Sequence, residues 1–206
     1  MIKEKRICVF GDSGVSEELN WGYPNWVSIF RNYISNQNKA NSVFGLGISG
    51  ETSKGLLKRI EVEAKARNPN IIIIQIGDND ACITNHKIET LENKFKSNIA
   101  QIIKVAKNNA PVIIFIGSHP CNEDLTTPTV WSKYEYFYNQ NLKKYSEIIK
   151  SICGAQKVNY IPFFDDVNNL NYKSYLSKED GLHLNKKGNE YFAKKIINFG
   201  VVKKLW

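Results

Sequence analysis

Sulfur is scarce in this chain. Cysteine occurs four times, at Cys8, Cys82, Cys121 and Cys153; the four lie far apart, with no C-x-x-C pair and no histidine completing a metal-ligand pattern. A disulfide framework is therefore excluded, no zinc site is expected, and nothing in the pattern calls for a metal or a cofactor. Long apolar runs are missing too: none approaches the ~20 residues of a membrane span. The opening Met1-Ile-Lys-Glu-Lys-Arg6 leads into an apolar stretch too short for the core of a secretory signal, so the expected location is the cytoplasm. No repeat, low-complexity tract or Pro/Gly/Ser linker divides the sequence, so residues 1–206 are expected to form one domain, with 42% hydrophobic residues to fill a core. Lys and Arg total 28 against 20 Asp and Glu, a net charge of +8. That charge is spread out, with only short clusters such as Lys186-Lys187 and Lys203-Lys204, and no nucleic-acid-binding motif accompanies it. It reads as a solvated basic surface, and a specific nucleic-acid partner is not expected.

What the sequence does contain is strand-length apolar runs at regular intervals: Ile7 to Phe10, Val43-Phe44 with Leu46, Ile71 to Ile76, Val112 to Ile116 and Val158 to Ile161. The third and fourth are continuous Ile, Val and Phe, as in strands covered on both faces. Helical stripes lie between them. Trp26, Ile29, Phe30, Tyr33 and Ile34 follow Pro24; Leu56, Leu57, Ile60 and Ala64 make a second stripe; Leu91, Phe95, Ile99, Ile102 and Ala106 a third. Tyr134, Tyr138, Tyr145, Ile149 and Ile152 make a fourth, and Phe192, Ile196 and Phe199 a last one, behind Asn185 as N-cap. Strands alternating with helices predict a parallel sheet inside a three-layer αβα sandwich. Two long connections remain, Ser118 to Trp131 and Pro162 to Leu184, and the first is expected to face substrate.

In an open parallel sheet, ligands bind beyond the carboxyl ends of the strands. The residues there are Gly11-Asp12-Ser13-Gly14, then Gly45 to Thr52, then Gly77-Asp78-Asn79-Asp80. Late in the chain stands Asp180-Gly181-Leu182-His183. A carboxylate three residues before a histidine can hold one ring nitrogen and leave the other to take a serine proton.

In the order Gly11-Asp12-Ser13, Gly50, Gly77-x-Asn79-Asp80, Asp180-x-x-His183, the chain resembles the SGNH hydrolases, also called GDSL-type esterases and lipases. The resemblance spans nearly the whole chain. It implies a flavodoxin-like sheet of five parallel strands in the order 2-1-3-4-5. It also implies a carboxylic ester hydrolase acting on a small-molecule ester, with Ser13 as nucleophile, His183 as general base and Asp180 as the residue orienting it. The Ser13 and Gly50 amides and the Asn79 side chain would form the oxyanion hole. Two positions depart from the pattern: Gly14 where Leu or Ile is commoner, and Gly45 where Asn is. Asp78 places a negative charge beside Asn79, so it is expected to face outward or to bond neighbouring backbone.

Other readings compete for some of these residues. The same triad can serve an acyltransferase, and a non-catalytic module can bind esters or glycans on the same fold. Gly45-x-Gly47-x-x-Gly50 matches the dinucleotide fingerprint, but it follows the second strand, and basic Lys65-Ala66-Arg67 stands where the ribose-binding acid belongs. Cys121, two residues from His119, is a second candidate nucleophile, lacking an orienting carboxylate. Trp21, Trp131, Tyr172 and Tyr175 lie in segments that can flank a pocket and stack on an acyl chain or sugar.

Overall fold

A computed structural model describes residues 4–18, 22–165 and 171–206; Trp21 lies outside them. The chain alternates as the apolar runs predict: β1 (Arg6–Gly11), α1 (Trp26–Gln37), β2 (Ser42–Gly47), α2 (Ser53–Arg67) and β3 (Ile71–Gln75). Two short strands follow, β4 (Ile83–Thr84) and β5 (Lys87–Ile88), then α3 (Glu92–Asn109), β6 (Val112–Ile116), α4 (Glu123–Thr126) and β7 (Glu135–Tyr136). The chain continues through α5 (Asn139–Ala155), β8 (Asn159–Ile161), a 3-10 turn over Tyr172–Tyr175, and a last helix, α6 (Lys186–Val202).

The main sheet has five parallel strands in the order β2-β1-β3-β6-β8, which is 2-1-3-4-5 when only its own strands are counted. Successive side chains of a strand point to opposite faces, and here both faces are buried. Cys8, Phe10, Ile72, Ile74 and Phe115 pack under α2, α3 and α5. Ile7, Val9, Ile71, Ile73 and Ile114 pack under α1 and α6. This two-sided burial explains the unbroken Ile71–Ile74 run: a polar residue at any of these positions would meet a helix, not water. Each such isoleucine, buried fully, contributes about 1.5–3 kcal/mol.

Register matters more for the site than the layers do. Gly11 at the end of β1 sits between Gly47 of β2 and Gln75 of β3. The three following loops therefore leave the sheet at one level and on one edge.

Two expectations need correction. Tyr134 and Tyr138 are not on the fourth helix, which begins at Asn139 with Tyr138 as its N-cap. The intervening Glu135–Tyr136 pairs instead with β4, in a small antiparallel sheet ordered β5-β4-β7. Nor is Leu91 part of the third helix's buried stripe; it is the N-cap and is exposed. The Ser118–Trp131 connection is more structured than a plain loop, carrying α4 and the bridges Thr126↔Thr129 and Thr129↔Ser132.

Candidate active site

After β1 the chain turns sharply. The Asp12 carbonyl accepts from the amides of Val15 (3.1 Å) and Ser16 (3.0 Å), and the Asp12 Oδ1 accepts from the Gly14 amide (3.0 Å). Ser13 rides on this turn. Trp26 Nε1 braces it from α1, donating to the Gly14 carbonyl (2.8 Å) and to Gln75 Oε1 (3.2 Å). This bracing accounts for glycine at 14: a Cβ there would stand 2.8 Å from Gln75 Nε2.

At the far end of the chain, Asp180 builds a second turn. Its Oδ1 accepts from the amides of Leu182 (2.8 Å) and His183 (2.9 Å), and its Oδ2 lies 2.9 Å from His183 Nδ1. Burial alone would push the Asp180 carboxyl up, but the bonds from the His183 ring and the two amides hold it below the ordinary carboxylate value. With Nδ1 occupied, His183 presents Nε2 to Ser13 Oγ at 2.9 Å. An acidic turn, an imidazole and a hydroxyl thus stand in one hydrogen-bonded line, in which the hydroxyl proton can pass to Nε2.

The middle of the chain supplies donors. Asn79 Nδ2 donates to the Glu51 carbonyl (3.1 Å), which joins the loop after β3 to the loop after β2; the amide's second N–H remains for a ligand. Gly50 holds a positive φ of 76°, and a Cβ there would touch nothing within 4 Å. The glycine is therefore required by backbone conformation and not by crowding. Among the described residues the Ser13 and Gly50 amides donate to no protein acceptor. Asn79 lines the cavity beside Ser13, while Gly50 does not.

Several contacts that support these turns carry no signal in the sequence. The Asp80 carboxylate accepts from the Ser53 amide and hydroxyl, both at 2.7 Å, and Asn98 Nδ2 donates to that hydroxyl (2.9 Å). Thr52, the N-cap of α2, makes no side-chain capping bond, so Asp80 performs that task from another loop and fixes Asn79 next to it. Arg59 donates to the Leu46 carbonyl (2.8 Å) and the Gly11 carbonyl (3.3 Å) and pairs with Glu51. One guanidinium thus ties the ends of β1 and β2 to the Gly50-Glu51 loop.

Asp78 does not face outward. Its Oδ1 accepts from the Ser118 hydroxyl, and it lines the cavity. β3 and β6 are neighbours, so the residues after them meet side chain to side chain. The effect falls on Asp12, only 3% exposed, whose carboxyl is pushed well above the ordinary range by burial and then by the Asp78 charge, against the Gly14 bond. Its Oδ2 is buried without a partner among the described residues.

The cavity has a volume of about 40 Å³ and is lined by, among others, Ser13, Gln75, Asp78, Asn79, His119 and His183. His119 and Cys121 do not form a catalytic pair. His119 Nδ1 bonds the Pro120 carbonyl (3.0 Å), and its ring meets Phe192 edge-on. Burial pushes the Cys121 thiol up to about 12, which leaves no thiolate at neutral pH. Tyr175 packs on Tyr191 and under Lys187, and neither it nor Tyr172 lines the cavity. Trp131 does approach the site, its ring centroid 6.2 Å from that of His183. The Gly45–Gly50 segment leaves the edge strand β2, and its loop is engaged by Asn79 and Arg59. Among the described residues no helix is long and apolar enough to cross a membrane, and no cluster of His, Cys, Asp and Glu could hold a metal ion.

Known proteins resemble the chain over most of its length. The esterase TesA of Pseudomonas aeruginosa is 19% identical over 158 residues, covering 77% of this chain and 69% of that protein. A lipase/acylhydrolase from Enterococcus faecalis superposes with a TM-score of 0.79 at 19% identity, over 95% of each chain. An acetyl xylan esterase from Geobacillus stearothermophilus superposes with a TM-score of 0.73 at 16% identity, over 94% of this chain and 93% of that one. Residues 9–191 match the GDSL-like Lipase/Acylhydrolase family. The chain belongs to that family, and with it to the carboxylic ester hydrolases.

Proposed function

We propose that the chain hydrolyses esters of short carboxylic acids, acetate foremost, through an acyl-enzyme on Ser13. The observation that carries this reading is the continuous line from Asp180 Oδ2 through His183 to Ser13 Oγ, each contact 2.9 Å. As Ser13 attacks the ester carbonyl, its proton passes to His183 Nε2. The Asp180 carboxylate stabilises the imidazolium and holds its tautomer. The carbonyl oxygen becomes an oxyanion, met by the Ser13 and Gly50 amides and the free N–H of Asn79. Collapse of this intermediate breaks the bond to the alcohol, whose oxygen takes the proton from Nε2. Water then gives a proton to the same nitrogen as its oxygen bonds the acyl carbon; collapse breaks the bond to Ser13 Oγ, which takes the proton back, and the acid leaves.

The acetyl xylan esterase among the structural relatives supports a short acyl group.

The test is turnover of acetyl, butyryl and octanoyl esters by purified wild-type protein and by Ser13→Ala. Acetyl esters are expected to turn over fastest, Ser13→Ala to lose about 10⁴-fold or more in kcat, and a fluorophosphonate to label Ser13. Wild-type turnover by Ser13→Ala, or labelling elsewhere with Ser13 untouched, refutes the reading.

A further inference from the structure

Trp131 is 48% exposed, in a segment where Val130 and Tyr134 are exposed as well. It is held rather than loose. Its Nε1 donates to Glu135 Oε2 (2.8 Å), its ring meets the buried Phe137 at 6.4 Å and 62°, and the turn beneath it is closed by the Thr129↔Ser132 bridge. In that turn Thr129 Oγ1 donates to the Ser132 carbonyl (3.1 Å) and accepts from the Ser132 amide (3.2 Å). So fixed, the ring centroid stands 6.2 Å from that of His183, tilted by 45°.

The side of the site on which the indole stands determines which half of the substrate it meets. Acyl-enzyme formation needs His183 Nε2 to protonate the leaving oxygen, so the alcohol must depart beside the imidazole. A ring attached through the leaving oxygen would sit next to that imidazole, whose ring centroid is 6.2 Å from the indole's. The edge of that indole is bonded by the Glu135 carboxylate, and Lys133 stands in the same segment. An apolar face bordered by such groups suits a ring with C–H faces and hydroxyl edges.

We propose that Trp131 is a specificity-determining residue that seats the ring of a pyranose alcohol beside His183, an inference that rests on the ester-hydrolysis reading above. The rigid indole presents its face at no cost in rotamer ordering. The sugar is then recognised by stacking.

The test compares kcat/KM on an acetylated methyl pyranoside, phenyl acetate and ethyl acetate in wild type, Trp131→Ala, Trp131→Leu and Trp131→Phe. Trp131→Ala and Trp131→Leu are expected to lower the pyranoside-to-ethyl ratio by about threefold to tenfold, mainly through KM, and Trp131→Phe to restore most of it. Equal loss on all three substrates through kcat would make the indole a support for His183 and overturn the proposal. A fall confined to phenyl acetate would overturn the choice of a sugar, and an unchanged ratio would overturn both. Binding separates this inference from the reading beneath it: titrating the acetylated pyranoside into Ser13→Ala and into Ser13→Ala/Trp131→Ala reads the indole without turnover. Weaker binding by the double variant supports the indole's role even if no ester is hydrolysed, and equal binding by the two refutes it even if esters are.

Discussion

Ser13 Oγ and His183 Nε2 stand 2.9 Å apart across 170 residues of sequence, and neither end reaches the other by local structure. The contact is made because β1 lies inside the sheet between β2 and β3, while α6 packs on α1 over the same face. The Asp180–His183 turn immediately precedes α6, whose N-cap Asn185 accepts from the Gly188 amide. Ser13 is thus positioned by the sheet, and His183 by a helix laid across it.

Asp180→Asn tests whether Asp180 acts on the tautomer or merely holds the turn. The amide keeps an oxygen for the Leu182 and His183 N–H groups but puts an N–H opposite Nδ1, favouring the tautomer that cannot take the Ser13 proton. We expect a folded protein whose kcat falls by about 10⁴-fold, with KM little changed, measured by steady-state kinetics beside circular dichroism. A loss of less than tenfold would remove Asp180 from the reaction.

Asn79→Ala removes the side-chain amide proposed as an oxyanion donor, and its tie to Glu51. A kcat loss of about 10²–10³-fold is expected, larger than any change in KM, because the donor acts on charge that develops only in the transition state. If KM rises and kcat holds, Asn79 binds substrate and does not stabilise the oxyanion.

Asp80→Ala leaves the buried Ser53 amide and hydroxyl without their acceptor and uncaps α2. A stability loss of about 1–3 kcal/mol is expected by urea denaturation, together with lower activity, since Asn79 is the adjacent residue. Unchanged stability would show that water replaces the carboxylate and that the cap contributes nothing.

The parts legible in the sequence are those with a short-range signature. Buried strands wrote themselves as the Ile71–Ile76 and Val112–Ile116 runs, and the α6 cap as Asn185. Ser13, Asp180 and His183, which the structure brings together, were singled out by the ordered motifs of the family resemblance. The small β5-β4-β7 sheet was not, because strands of two residues are too short to show alternation, and Glu135–Tyr136 was absorbed into a helical stripe. Arg59 was hidden, and so was the part Asp80 plays, although Asp80 stands in a motif the sequence offered: each bonds groups far off in sequence, and no spacing announces a contact that only the folded sheet edge creates. Asp78 was misjudged for the same reason, since its partner Ser118 belongs to the next strand's loop.

Asp12 and Asp180 are both buried next to the reacting groups, yet they move in opposite directions, which gives the enzyme's stability two different pH limbs. Asp180 has its folded-state pKa lowered, so its contribution is present above the ordinary carboxylate range and is lost as pH falls through the lowered value. Asp12 has its folded-state pKa raised, so its contribution is full below the ordinary range and is lost as pH rises toward the raised value. Asp12→Asn keeps an oxygen to accept from the Gly14 amide while removing the ionisation. Its melting temperature is expected to exceed that of wild type at about pH 8 and to converge with it near about pH 4. Asp12→Ala, which loses the Gly14 bond, should be less active than Asp12→Asn. Parallel melting curves for wild type and Asp12→Asn across that range would show that Asp12 ionises as freely in the folded protein as in the unfolded chain.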